Sequence, residues 1–196
     1  MEFRNAEMTD EQLVELAQKG DRSAFEVLIR RHQSKILSLC CRLIGNVQEA
    51  KELAADVFAE AFQALPGFRG QAQFGTWLYR IASNRSFSRL KKFVRDRHLF
   101  VYSNEDESEE GPAQAVKSSA EHPLRRLELE ETRAKIRLVL SKLNEDQARI
   151  LLLHDLEELP YAEIAEILDC PAGTVMSRLS RAREAFRRKW NQISQK

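Results

Sequence analysis

The chain has few of the residues that make chemical sites on their own. It has three cysteines among 196 residues, and no CxxC pair or His/Cys cluster falls at metal-ligand spacing. That excludes a zinc finger and a disulfide scaffold, and leaves Cys40, Cys41 and Cys170 as reduced thiols, read first as small buried hydrophobes with a redox switch as the alternative. The seven glycines and five prolines sit at a few punctuating places, so there is no Gly-rich phosphate loop. Sustained period-two alternation is also missing, which argues against a sheet. No apolar run approaches the roughly 20 residues that a membrane-spanning helix needs. The opening MEFRNAEMTDEQ lacks the basic-then-apolar pattern of a secretory signal, so the expected location is the cytoplasm, without membrane insertion. No nucleophile stands near a plausible base, and His154 beside Asp155 reads as a helix-surface pair. The expectation is a protein that is not an enzyme and takes no metal or cofactor.

What is present is charge, unevenly placed. The 31 Lys and Arg nearly balance the 30 Asp and Glu, but by segment the pattern is basic, acidic, basic. Residues 69–98 carry eight basic residues against one acid, residues 103–131 three against nine, and residues 172–196 seven against one. Two basic elements suggest two contacts with a polyanion, although solvated basic faces are also common.

Helix signals fill both flanks of the acidic stretch. Thr9 or Asp10 caps a short helix that ends near Gly20. Asp21 caps a long one that ends at Gly45, and Asn46 opens a third that stops at Pro66-Gly67. A fourth runs from about Phe74 to Arg95. Periodicity is lost through SNEDESEEGPAQAVKSSAEHP and resumes at Leu124, with Asn144 and Gln147 as a capping box. The fold class is therefore all-α: two small helical domains, 1–98 and 124–196, joined by a flexible acidic linker over 99–123.

Residues 161–189, YAEIAEILDCPAGTVMSRLSRAREAFRRK, have the grammar of a helix-turn-helix: a short amphipathic helix, a tight break and a longer basic helix. Val175, Leu179, Ala182 and Phe186 form the apolar stripe of the second helix. Ser177, Arg181, Glu184 and Arg188 lie opposite, with Thr174 and Arg178 beside them. A major groove admits such a helix, and Arg can donate two hydrogen bonds to a guanine edge.

Residues 49–62, EAKELAADVFAEAF, place Glu49, Glu52, Asp56 and Glu60 on one stripe above an apolar face of Leu53, Val57, Phe58 and Ala61. A carboxylate metal site is one reading of this stripe, but the Glu-x-x-His element of helical di-iron centres is missing. A solvated face and a protein-docking face remain. Residues 68–92, FRGQAQFGTWLYRIASNRSFSRLKK, interleave aromatics with cations after a Gly-containing loop. Trp77, Arg80, Asn84, Ser88 and Lys91 share a stripe. Aromatic faces stack on unpaired bases while cations track the backbone, and the alternative is that Phe74, Trp77 and Ile81 are simply core.

The pattern YxEIAEIL followed by PxGTVxSRLxRARE resembles the C-terminal promoter-reading domain of the sigma-70 superfamily, and the front half resembles the same family's extracytoplasmic-function group. The resemblance implies a sigma factor that binds core RNA polymerase, directs it to promoters and helps melt the minus-ten element, with an anti-sigma factor as a further partner. It implies sigma region 2 over 1–98 and region 4 over 124–196. Core polymerase would meet Glu49, Glu52, Leu53, Asp56, Phe58 and Glu60. Minus-ten DNA, single-stranded once opened, would meet Phe68, Arg69, Gln71, Phe74, Trp77, Arg80, Asn84, Arg85, Ser88 and Lys91. Duplex at the minus-thirty-five element would meet Thr174, Met176, Ser177, Arg178, Ser180, Arg181 and Arg188. Met176 stands where the family commonly has Lys or Arg, Pro160 where a Ser often caps the first helix of the pair, Ala55 at a commonly polar position, and Ser88 where an acid is often found.

Overall fold

The computed structural model describes residues 7–103 and 123–195. Among them are eight α-helices and no strand. The first four belong to the front domain: α1 (Asp10–Gln18), α2 (Arg22–Ile44), α3 (Val47–Ala64) and α4 (Phe74–Ser103). The other four belong to the rear: α5 (Pro123–Ser141), α6 (Glu145–Leu151), α7 (Tyr161–Ile167) and α8 (Ala172–Ser194). The acidic residues 104–122 lie outside the described part of the chain.

Side-chain caps start the front helices where the sequence places them. Thr9 and Gln12 form a reciprocal capping box at α1. Asp21 accepts from the backbone N–H groups of Ser23 and Ala24 at α2, and Asn46 from those of Gln48 and Glu49 at α3. Each cap satisfies amides that the first turn leaves without helical partners. Gly45, at φ 77°, ends α2 in the left-handed region, where a side chain would be strained. A Cβ there would also come within 2.6 Å of the Arg137 guanidinium.

Burial of Leu13, Leu28, Leu39, Leu43, Val57, Leu78 and Leu90 knits α1 to α4 into one core. Each fully buried Leu contributes about 1.5 to 3 kcal/mol, so Leu28→Ala would cost about 2 to 5 kcal/mol with its cavity included. Helix α4 continues to Ser103, several residues past Arg95, where the sequence reading ended it. The linker as read therefore begins inside a helix.

In the rear domain α6 does not end cleanly. Residues Leu152–Leu156 widen into a π turn, which buries the adjacent Leu152 and Leu153 together before Glu158 reverses the chain at φ 55°. Pro160 then occupies the N-cap of α7 and Pro171 that of α8, neither with a side-chain cap. Proline suits both places because it has no N–H to leave unpaired. Ile164, Ile167, Val175, Leu179 and Ala182 pack the two helices together.

The two domains touch. Arg42 of α2 reaches Glu157 at 3.5 Å and the Leu156 carbonyl, and Tyr79 of α4 donates to Glu157 at 3.4 Å. Arg80 lies 3.8 Å from Asp169, in the turn between α7 and α8.

Candidate nucleic-acid and polymerase interface

The recognition face of α8 is open. Met176, Ser177, Arg178, Ser180, Arg181 and Arg188 are all exposed, Met176 at 67%. Thr174 is half-buried because its hydroxyl donates to the Pro171 carbonyl at 2.7 Å, tightening the first turn. The Ser177 hydroxyl turns back to the Thr174 carbonyl at 3.0 Å. Arg188 lies against Glu184, 2.8 Å away on the same helix, so part of its charge is already answered.

Arg183 points elsewhere. Its guanidinium donates to both oxygens of Asp155 on the π turn, and His154 bonds the same carboxylate at 2.8 Å while its ring packs 5.2 Å from Tyr161. Burial pushes the Asp155 carboxyl up. The Arg183 and His154 hydrogen bonds outweigh it and hold the group below the usual carboxylate value. The pair His154-Asp155 thus ties the π turn to α8. Neither motif nor periodicity announces this, because it depends on the widened turn.

On α3, Glu52 and Asp56 are exposed and carry no ion pair among the described residues. The ends of the stripe are engaged: Glu60 pairs with Arg85, and Glu49 lies 3.9 Å from Arg89. Two proposed docking residues are corrected by burial. Leu53 and Phe58 are 5% and 8% exposed. They support the stripe from within the core and cannot themselves meet a partner in this conformation.

The loop before α4 presents Arg69 and Gln71 to solvent, with Gly70 at φ 66° making the bend. Phe68 and Trp77 are half-buried with ring centroids 4.9 Å apart, and Phe74 lies beneath both. Phe74, expected among the residues that meet minus-ten DNA, is 3% exposed and forms a floor under the loop. Along α4, Arg80, Arg85, Ser88 and Lys91 are exposed. Arg85 is held by Glu60, Arg80 lies near Asp169, and Lys91 sits 4.8 Å over the Phe87 ring. Asn84 is half-buried, and its side-chain oxygen finds no hydrogen-bond partner among the described residues.

Helix α1, which no motif marks, holds both ends of this loop. The Gln18 side-chain amide donates to the carbonyls of Leu65 at 2.9 Å and Phe68 at 2.8 Å. At the other end Asp10 bonds His32 at 2.7 Å, and the His32 ring stands edge-on to Phe74 at 5.4 Å.

A helix-turn-helix with a free basic face, joined to a second helical domain that carries its own loop-and-helix basic surface, defines a DNA-directed regulator built in two parts. The family model for sigma-70 region 2 matches residues 28–96, and that for sigma-70, region 4 matches residues 133–186. The RNA polymerase sigma-H factor of Pseudomonas aeruginosa is 41% identical over 178 residues, covering 90% of this chain and 91% of that one. The ECF RNA polymerase sigma-E factor of Escherichia coli K12 is 37% identical over 182 residues, covering 92% and 93%. Among solved structures, CnrH in complex with the cytosolic domain of CnrY has a TM-score of 0.57 at 23% identity, over 93% of this chain and 97% of that one; this likeness bears on the fold. The chain belongs to the sigma-70 family of transcription initiation factors, in its extracytoplasmic-function group. Members of the family are transcription regulators, and no helix among the described residues is long and apolar enough to cross a membrane.

Proposed function

We infer that the chain works in the cytoplasm as a non-catalytic specificity subunit, with three surfaces in three roles. Glu52 and Asp56, flanked by Glu49 and Glu60, dock core RNA polymerase through the front domain. Arg69 and Gln71, over the aromatic floor of Phe68, Trp77 and Phe74, hold unpaired minus-ten bases, and Arg80, Arg85, Ser88 and Lys91 of α4 follow the strand. Ser177, Arg178, Ser180 and Arg181 of α8 read duplex at the minus-thirty-five element, beside Thr174, Met176 and Arg188. The front domain is read as sigma region 2 and the rear as region 4.

One observation carries this reading. The chain has two separate basic surfaces of different build, a free helix face suited to a groove and an exposed loop over a cluster of tilted aromatic rings suited to single strands. No bond is made by the chain; binding energy shifts promoter DNA from closed to open while polymerase does the chemistry. An anti-sigma protein is a further partner. This accords with the relationship to extracytoplasmic-function factors.

The alternative, an operator-binding regulator acting alone, accounts for α8 and leaves the acidic stripe and the loop without a task. Footprinting of promoter DNA with the chain alone, and with added core polymerase, separates the two. Protection only when polymerase is present supports the sigma assignment, and equal protection without it supports the stand-alone regulator.

A further inference from the structure

The loop between α3 and α4 is anchored at both ends, by Leu65 and by Phe74, both buried. Its far end, at Phe74 and Gly75, is packed solid. Phe74 is buried, and a Cβ placed on Gly75 would come 3.2 Å from Cε1 of His32. His32 is itself only 15% exposed and anchored to Asp10, which Arg31 also bonds at 2.7 Å. Here the loop has no room to shift. Its near end, the 3-10 turn Leu65–Gly67 and Phe68, is rooted in the core by Leu65, 1% exposed, and its carbonyls are held from outside that core by Gln18 at the C-terminus of α1. The two donated hydrogen bonds use both protons of the Gln18 amide. They fix two carbonyls three residues apart at the point where the chain leaves α3 for the loop. The Leu65 carbonyl also accepts from the Phe68 amide at 3.0 Å, so the same oxygen joins the turn to α1.

Resting on the assignment of residues 68–73 to minus-ten capture, we propose that Gln18 is a positioning residue for promoter opening: α1 sets the shape of the loop, and Gln18 is the brace that fixes the backbone of its near end. Helix α1 lies before residue 28, where the region 2 match begins. Gln18 does not touch DNA. It acts through the Leu65 and Phe68 carbonyls, which hold Phe68 against Trp77 and aim Arg69 and Gln71 outward. A loop ordered in advance loses less conformational entropy when it closes on a base. Two ordinary hydrogen bonds supply about a tenfold advantage in the bound fraction.

The test uses full-length chain assembled with core polymerase, and a fork promoter fragment whose minus-ten non-template strand is already single-stranded. Gln18 is exposed, so its substitution leaves the core intact. Gln18→Met keeps the side chain's length and removes both donors, and is expected to weaken fork binding about tenfold with core binding and melting temperature unchanged. Gln18→Lys restores a donor and is expected to recover most of the loss. Arg69→Ala is measured in parallel as the direct contact. Gln18→Met equal to wild type while Arg69→Ala fails would overturn the brace and leave the loop assignment standing. Gln18→Lys as defective as Gln18→Met would overturn the donor role. Wild-type fork binding by Arg69→Ala and Gln18→Met together would bring down the loop assignment itself, and the brace with it.

Discussion

The two basic helices α4 and α8 are alike in composition and opposite in availability. On α8 the proposed reading residues Met176, Ser177, Arg178, Ser180 and Arg181 face solvent, and the helix's inward cation, Arg183, is consumed by Asp155. On α4 the cations are mostly spoken for: Arg85 by Glu60, Arg89 by Glu49, and Arg80 by the Asp169 of the other domain. A duplex groove is present before binding, so a rigid free face suffices to read it. Unpaired bases exist only after opening, and the surface proposed to take them is held in exchangeable ion pairs, each weak where solvent screens it. The seam between domains has the same provisional character. Burial raises the Glu157 carboxyl against the pull of Arg42 and the Tyr79 hydroxyl. One Glu157 oxygen and two Arg149 nitrogens are buried without hydrogen-bond partners among the described residues. Buried charge that is incompletely paired costs free energy, so this seam adds little to the stability of the fold.

The largest effect is expected on α3, the surface proposed to dock core polymerase. Glu52→Lys and Asp56→Lys put like charge against a basic partner, which costs several kcal/mol at an interface, while reversal on an exposed face costs the fold little. Pull-down with core polymerase should show both variants folded and unbound. Wild-type binding by both would make the stripe a solvated face.

Next is Arg181→Ala. Loss of a bidentate base contact should cost about 1 to 3 kcal/mol and relax selectivity at one base pair. A randomised minus-thirty-five library reads this out, and uniform weakening across all sequences would demote Arg181 to a phosphate contact.

A smaller effect belongs to the tie between α8 and the π turn. Asp155 is about one third exposed and Arg183 nearly half, so after screening Asp155→Asn should cost about 0.5 to 1 kcal/mol and lower the melting temperature by about 1 to 4 °C. The folded-state pKa of Asp155 is depressed below its ordinary 3.8. The pair's stabilisation is therefore fully present above that value and is lost as pH falls through the depressed one. Melts at falling pH should show wild type converging on the variant. A constant gap down to the most acid point would exclude ionised Asp155 as the cause.

The smallest effect concerns the acidic residues Glu105, Asp106, Glu107, Glu109 and Glu110, which oppose both basic helices in sign. Neutralising them should improve polymerase-free DNA binding at low salt and do little at high salt. No change at low salt would reduce the segment to a spacer.

What could be read without coordinates follows the same division. The caps Thr9, Asp21, Asn46 and Asn144, the apolar stripe Val175, Leu179 and Ala182, and the free face of α8 depend on local spacing, which periodicity reports. Leu53, Phe58 and Phe74 lie in the core, and spacing does not reveal this, because a half-apolar helix does not say which apolar side chain ends up beneath its neighbours. Gln18, His32 and Asp155 carry their roles through partners 47, 22 and 28 residues away. The π turn that brings Asp155 to Arg183 has no sequence signal, and the Gln18 carbonyl contacts leave none either, since any residue offers a carbonyl.

The most direct test of the central claim, that α4 with its loop traps opened bases while α8 reads closed duplex, is open-complex formation by holoenzymes carrying Arg69→Ala or Arg181→Ala. Each is measured on a fully duplex promoter and on one already unpaired at the minus-ten element. The account predicts that pre-opening largely relieves the Arg69→Ala defect and leaves the Arg181→Ala defect as it was. Equal losses for Arg69→Ala on both templates, or relief of Arg181→Ala by pre-opening, would contradict it.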